Sequence, residues 1–138
     1  MIIDANNLIL GRMASFAAKQ ALLGEEINII NCEKAIITGN KKQILAKYKE
    51  KIKMGKPQKG PFIPRRAERF VKRTIRGMLP HKQEKGRKAF KRVKCYVNVP
   101  EEFKDKKAEA IEKADITKVP NLKHITVEDI CKSIGGKW

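Results

Sequence analysis

The first 31 residues alternate between short apolar runs and one segment with helical spacing. Residues 1–4 begin with three apolar residues and predict a short buried strand, and residues 26–31, which are rich in isoleucine, predict a second strand. Between them, apolar side chains recur every three or four residues from Leu10 to Leu23, which predicts an amphipathic helix that ends at Gly24. A strand, a helix and a strand in this order indicate a βαβ unit with parallel strands. The chain is therefore predicted to be of the α/β class.

A third extended stretch, at residues 35–38, precedes a helix of different character. Asn40 is suited to cap this helix, and Gln43 lies where a capping box requires it. Apolar residues recur here only at every fourth position, and lysines fill the other faces. Residues 54–61 then contain two Gly, two Pro and two Lys, so we expect a basic loop without regular structure.

The clearest amphipathic pattern begins at Pro64, a residue suited to the first position of a helix. The apolar stripe of this helix consists of Ala67, Phe70, Val71, Thr74, Ile75 and Met78. The opposite stripe is basic and consists of Arg65, Arg69, Lys72 and Arg76, with Arg66 and Arg73 beside it. Gly77 and Pro80 end the helix, and a weaker basic helix is predicted over 84–93.

The last third of the chain has a weaker pattern. Residues 95–99 alternate with period two and end at Pro100, which predicts a strand. Residues 101–122 are balanced in charge, and we expect surface turns and loose helix there. A short edge strand at 123–125 and a final helix that starts at Thr126 complete the prediction.

The distribution of charge points to a binding partner, because one segment contains the whole excess of positive charge. The chain has 138 residues and a net charge of +17. Residues 1–40 sum to −1, residues 41–94 to +18 and residues 95–138 to 0. We call 41–94 the basic segment. Since such self-repulsion costs stability unless a polyanion neutralises it, the segment predicts a nucleic-acid partner, and less favourably an anionic membrane surface.

Aromatic residues are few, at 6 % of the chain, and only Phe62 lies within the basic loop. Two interpretations of this residue stay open. Its ring either stacks on a base or packs beneath the loop. The scarcity of aromatics favours recognition of the shape and backbone of folded RNA over sequence readout.

Catalytic, nucleotide and metal chemistry find little support. Gly55 and Gly60 have the spacing of a phosphate loop, but Pro61 follows where a Walker motif needs lysine. His81 has no neighbouring carboxylate. Cys32, beside an acidic and a basic residue, is either an activated or a buried thiol, and we favour burial. Three cysteines without metal or disulfide spacing indicate reduced thiols in the cytoplasm. Since no nucleotide, catalytic or zinc motif is present in the sequence, we expect no cofactor, no metal and no small-molecule substrate.

Several stretches resemble the ribosomal protein L13 family of the large subunit, in its archaeal form. These are Asp4–Ala5 before 10–15, the run 31–34 to 38–42, and the segment 73–80, Arg-Thr-Ile-Arg-Gly-Met-Leu-Pro, which is the most specific. Gly86, Phe90 and the strand 94–100 extend the resemblance to about residue 100, and 125–130 resembles the archaeal branch.

The resemblance implies a single domain over 1–138 with a three-layer α/β/α fold, a small, mostly parallel four-stranded sheet and basic helical and loop extensions. It implies a non-enzymatic component of the large ribosomal subunit in the cytoplasm, which binds large-subunit rRNA, contacts neighbouring large-subunit proteins and supports early assembly. Together with the basic stripe, it gives the candidate RNA-binding residues Lys41, Lys42, Lys53, Lys56, Lys59, Arg65, Arg66, Arg69, Lys72, Arg73, Arg76, His81, Lys82, Arg87, Lys88 and Lys91.

Two rival hypotheses remain. A free-standing RNA chaperone or chromatin-type protein would tolerate DNA as well as RNA. An RNA-modifying enzyme would need a cofactor pocket with convergent polar groups, and the sequence supplies no motif for one.

Overall fold

The computed structural model describes residues 1–137, which contain five strands and five helices. The strands are β1 (Ile2–Asp4), β2 (Ile27–Ile30), β3 (Ile36–Thr38), β4 (Val93–Cys95) and β5 (His124–Thr126). The helices are α1 (Leu10–Leu23), α2 (Lys41–Lys53), α3 (Ala67–Gly77), α4 (Glu84–Arg92) and α5 (Val127–Ser133). The predicted α/β class is confirmed.

The main sheet has three parallel strands in the order β1-β2-β4. The central strand β2 places Ile29 opposite Ile3 on one side and opposite Cys95 on the other. Ile3 and Ile29 are fully buried, as parallel strands covered on both faces require. The predicted βαβ unit, β1-α1-β2, is confirmed.

The sheet is smaller than the four-stranded one expected. β3 does not join it but pairs antiparallel with β5, with Ile37 opposite Ile125. At the β1 edge of the main sheet, the only further pairing among the described residues is a single bridge at Glu109. The Glu109 N–H donates to the Ile2 carbonyl at 2.8 Å. The prediction of four strands in one sheet was therefore wrong, because residues 36–38 find their partner in 124–126.

The strand expected at 95–99 lies two residues earlier. Val93 is fully buried opposite Ile27, so packing extends the strand back to the end of α4. After Cys95 the chain turns, and Asn98 has a left-handed φ of 57°. The carbonyls of residues 96 and 98 still accept hydrogen bonds from the N–H groups of residues 32 and 31, at 3.1 Å each. The period-two alternation thus reflects an irregular paired segment and not a regular strand.

Helix α1 has the predicted bounds, and Gly24 caps it with a left-handed φ of 108°. Its buried face is built mainly from alanines, including Ala14, Ala17 and Ala21, which have no exposed surface. Small side chains allow close approach, and α1 packs against both α3 and α4. The Arg92 guanidinium at the end of α4 donates to the Ala21 carbonyl at 3.2 Å.

Helix α3 begins at Ala67 and not at Pro64, because residues 62–66 run extended. Arg66 is the N-cap, with φ −89° and ψ 139°, and its side chain pairs with Glu68 at 2.8 Å. Helix α2 has its predicted cap, since the Asn40 side chain accepts a hydrogen bond from the Lys42 N–H at 3.1 Å. No residue of α2 is fully buried, so this helix lies on the outside of the core.

The remaining predictions hold in outline. Short 3₁₀ turns occupy Glu101–Phe103, Glu112–Ala114 and Ile116–Lys118, as expected for 101–122. The edge strand and the last helix are confirmed as β5 and α5, and the Thr126 side chain accepts from the Asp129 N–H. Within 1–137, every helix is too short or too polar to span a bilayer.

Two helical glycines differ sharply in their surroundings. A Cβ added to Gly86 would lie 2.1 Å from the Pro80 carbonyl oxygen, whereas a Cβ at Gly77 would meet nothing within 4 Å. Gly86→Ala should lower the free energy of unfolding by about 1–3 kcal/mol, because a backbone atom must shift.

Gly77→Ala is the matched control. It should leave stability unchanged or raise it by up to about 1 kcal/mol, because alanine is the better helix former. Urea denaturation of both variants measures the two effects. An equal gain in stability for both would show that the Pro80 backbone does not restrict the side chain at position 86.

Candidate nucleic-acid interface

Helix α3 separates a core face from a cationic face. Phe70, Val71 and Ile75 are buried, and the Phe70 ring centre lies 5.3 Å from that of Tyr48 in α2. The opposite face, at spacings of three and four residues, presents the exposed side chains of Arg69, Arg73 and Arg76. The predicted division of this helix into two faces is confirmed.

Two members of the predicted stripes lie elsewhere. Met78 follows the end of α3 and is 41 % exposed, so it is not part of the core. Its sulfur accepts a hydrogen bond from the Ser15 hydroxyl at 3.4 Å. Arg65 lies in the extended stretch before α3, so it cannot belong to the basic stripe of the helix.

Helix α4 adds a second cationic surface. Gly86 and Ala89 are buried, whereas the side chains that point away from the core are Arg87, Lys88 and Lys91. The two helices are joined by a cation–π contact, with the Lys72 ammonium 5.0 Å from the Phe90 ring centre. This contact explains why Lys72 is half-buried.

The loop between α2 and α3 folds back on itself. The Gly60 N–H donates to the Lys56 carbonyl at 2.9 Å, and the two residues form an isolated bridge. The Arg73 guanidinium donates to the Phe62 carbonyl at 2.7 Å, which fixes the returning strand of the loop on α3. Lys53, Lys56 and Arg65 border one cavity beside this loop.

Few of the candidate cations are neutralised. Among the described residues, three of the sixteen candidates lie within 4.0 Å of a carboxylate, namely Lys41 with Asp129 at 3.2 Å, Arg66 with Glu68 at 2.8 Å and Lys88 with Glu84 at 2.8 Å. Lys41–Asp129 and Lys88–Glu84 are exposed on both sides, and such pairs contribute roughly 0–1 kcal/mol, so phosphate can displace them, whereas the side chain of Glu68 is only 17 % exposed. The surface therefore has a large unmatched positive charge.

The structure places all sixteen candidate residues at or near the surface. Lys72 and His81 are half-buried, and the exposed ones are Lys41, Lys42, Lys53, Lys56, Lys59, Arg65, Arg66, Arg69, Arg73, Arg76, Lys82, Arg87, Lys88 and Lys91. His81 faces its own backbone, with Nδ1 3.4 Å from the Leu79 carbonyl.

Two neighbouring features were not resolved by sequence reasoning. The Lys51 ammonium of α2 lies 5.2 Å from the Tyr48 ring centre. The spacing of three residues, which places both side chains on one helix face, could have predicted this contact. Phe62 is 66 % exposed, so the interpretation that it packs beneath the loop was wrong. Stacking on a base stays a prediction.

Comparison with known proteins shows the family to which the chain belongs. The family model described as Ribosomal protein L13 matches residues 1–102. The chain belongs to the ribosomal protein L13 family. It is therefore a structural protein of the cytoplasmic ribosome and not an enzyme, and the resemblance seen in the sequence is confirmed.

Individual relatives extend the L13 match over nearly the whole chain. The large ribosomal subunit protein uL13 of Methanosarcina barkeri is 46 % identical over 138 residues, covering 99 % of each chain. The uL13 proteins of Methanococcoides burtonii and Haloarcula marismortui are 42 % and 40 % identical, covering 99 % and 98 % of this chain and 99 % and 90 % of their own. These archaeal relatives confirm the archaeal form of the family.

The two buried thiols of this L13 family member, Cys32 and Cys131, are not activated. Cys32 is fully buried, and a hydrogen bond with the Cys95 thiol, together with burial, raises its pKa well above the usual value. Burial and the nearby Glu68 charge raise the pKa of Cys131 to about 12. The alternative of an activated Cys32 was therefore wrong. No group of three or more His, Cys, Asp or Glu side chains within 1–137 is arranged to hold a metal ion.

The faces of α3 can be separated by mutation. Phe70→Ala should lower the free energy of unfolding by about 3–5 kcal/mol, because it empties a buried aromatic site. Arg69→Ala combined with Arg76→Ala should leave the melting temperature unchanged or slightly higher, because it relieves like-charge repulsion. Thermal denaturation of both variants checks which face of α3 supports the fold. A lower melting temperature of the double arginine variant would show that the arginines, and not the outer surface alone, stabilise the fold.

Thiol reactivity tests the cysteine assignment. Because the thiolate is the reactive form, Cys32 and Cys131 should react slowly with a disulfide reagent at pH 8 in the folded protein. In denaturant all three cysteines should react at the rate of a free thiol. Fast modification of Cys32 in the folded state, located by mass spectrometry, would contradict its burial and raised pKa.

Proposed function

We propose that this chain is a component of the large ribosomal subunit that binds large-subunit rRNA through its basic segment. The observation on which the proposal rests is the excess of exposed cations: of the fourteen exposed candidates, eleven have no carboxylate within 4.0 Å among the described residues. Arginine suits phosphate because its planar guanidinium donates two parallel hydrogen bonds. The archaeal relatives are named as large ribosomal subunit proteins, which supports the choice of RNA.

The proposed contact surface consists of three parts. The first is the start of α2 with Lys41 and Lys42, the second is the segment 53–66 between α2 and α3, and the third comprises the outer faces of α3 and α4 with the turn 81–82 between them. The core holds the inner faces of α3 and α4 in place, so the cations on their outer faces are pre-positioned and lose little entropy on binding. The sixteen candidate residues are the proposed phosphate contacts, and the whole chain acts as one domain.

The recognition is proposed to read shape and backbone. Phosphate contacts fix the position of a protein on folded RNA but contain no base information. Of the basic segment's aromatic rings, those of Tyr48, Phe70 and Phe90 pack against the core or each other, and only Phe62 is mostly exposed. Binding of this kind suits a role in early assembly, where a protein stabilises a fold of rRNA and gives neighbouring large-subunit proteins a surface to contact.

Salt dependence tests the proposal. If six to ten phosphates are contacted, affinity for large-subunit rRNA should fall by about 10³- to 10⁵-fold between 50 and 200 mM salt. Arg69→Ala with Arg76→Ala should lower the slope of log K against log salt by about 2, since each phosphate contact contributes about 1. Filter binding with rRNA freed of protein provides the measurement.

A matched control removes two lysines from the charge-balanced tail. Lys104→Ala with Lys107→Ala changes the net charge equally but should leave the slope unchanged, because both residues lie outside the basic segment. A flat salt dependence of the unaltered protein would overturn the proposal. Equal affinity for DNA, or release from large subunits in a high-salt wash, would instead favour the RNA-chaperone hypothesis.

A further inference from the structure

One cavity beside the basic loop combines an aromatic ring with apolar walls and cations. It has a volume of about 430 Å³ and lies between the end of α2, the loop and the extended stretch before α3. Ile52, Met54 and Pro61 form part of its wall, and the mostly exposed Phe62 lies at its edge. An exposed aromatic on a cationic surface is unusual, because aromatic rings mostly serve cores.

The walls of this loop cavity are held in place by tight backbone contacts. A Cβ at Gly55 would lie 1.8 Å from the Gly60 carbonyl oxygen, so the two arms of the loop touch where only glycine fits. Gly55 and Gly60 both have left-handed φ angles, of 80° and 85°. The hydrogen bond from Arg73 to the Phe62 carbonyl anchors the far arm to α3. The cavity is therefore formed before any ligand binds.

The charges around the loop cavity define the chemistry of its ligand. Lys53, Lys56 and Arg65 border it, and no carboxylate is among the described residues that line it. A ligand that fits has a flat apolar part and at least one negative charge. A nucleotide meets both requirements, whereas an apolar peptide leaves three cations unmatched and an acidic one leaves the ring unused.

We propose that the loop cavity receives one unstacked base of the RNA, which stacks on Phe62 while Lys53, Lys56 and Arg65 hold the adjoining phosphates. This inference rests on the proposed function and refines it, because it adds a single base contact to a surface that otherwise reads the backbone. Every base has a π face, so the contact selects an unpaired nucleotide and not a particular sequence. A free mononucleotide is a weaker candidate, because the loop lacks the lysine and hydroxyl pair of a phosphate loop.

The test compares three substitutions at one position. Phe62→Ala should weaken binding to protein-free large-subunit rRNA roughly 5- to 150-fold, the range found when a stacking residue is removed. Phe62→Leu should lose most of the same affinity, and Phe62→Trp should retain it, since only the aromatic variant stacks. Leu23→Ala is the matched control, because Leu23 is 71 % exposed but lies outside the basic segment.

The salt slope separates this inference from the proposed function. Phe62→Ala should leave the slope of log K against log salt unchanged, because it removes no charge, whereas Lys53→Ala with Lys56→Ala should reduce it. Base-specific chemical probing of the rRNA should show a nucleotide that the unaltered protein protects and Phe62→Ala leaves reactive. Hydroxyl-radical protection of the backbone should persist in both complexes.

Each outcome has a distinct meaning. Normal affinity of Phe62→Ala and identical base protection, in a protein whose binding still depends on salt, would overturn the base contact and leave the proposed function intact. If Phe62→Leu binds rRNA with the affinity of the unaltered protein, the contact is apolar and not stacking, which would also overturn the base contact. Loss of salt dependence in the unaltered protein would overturn the proposed function itself.

Discussion

Repulsion among the cations of residues 41–94 is the constraint to which the rest of the fold is adapted. The segment has a net charge of +18, and like charges held within a Debye length of about 10 Å oppose compaction. The fold meets this cost by burying the apolar faces of α3 and α4 against α1 while their charged faces lie in water. The alanine face of α1 makes this possible, because short side chains let both basic helices pack against one partner.

Elements with a strong local period could be predicted from the sequence almost to the residue. Helix α1 has both a three-to-four spacing and a glycine suited to its C-cap, and its predicted bounds are those observed. The start of α3 was predicted wrongly, because Pro64 suits the first position of a helix but α3 begins only at Ala67. The hydrogen bond from Arg73 to the Phe62 carbonyl holds the preceding stretch in its extended form. That contact joins residues 11 positions apart and leaves no periodic signal.

Strand pairing could not be predicted in the same way. β3 and β5 are each only three residues long, and their partnership joins parts of the chain nearly 90 positions apart. The alternation at 95–99 was misleading because the segment hydrogen-bonds to residues 31 and 32 but turns at Asn98, which has a left-handed φ, so no regular ladder forms. The surface position of the candidate residues was predicted better than the sheet, because exposure of lysine and arginine follows from charge alone, whereas their contact with RNA stays a prediction. What charge could not indicate were the specific contacts, such as Lys41 with Asp129 or Lys72 with Phe90.

The position of β2 in the centre of the main sheet has a consequence for the order of folding. Its second neighbour, β4, lies 66 positions further along the chain, as the pairing of Ile27 with Val93 shows. Closing so long a loop delays that half of the sheet relative to the local β1-α1-β2 unit. During synthesis, β1, α1 and β2 therefore emerge before β4, and the polycationic segment 41–94 emerges between β2 and the completed pairing. The approach of β4 to β2 is opposed by the repulsion within this intervening segment, so neutralising its charge would favour completion of the sheet.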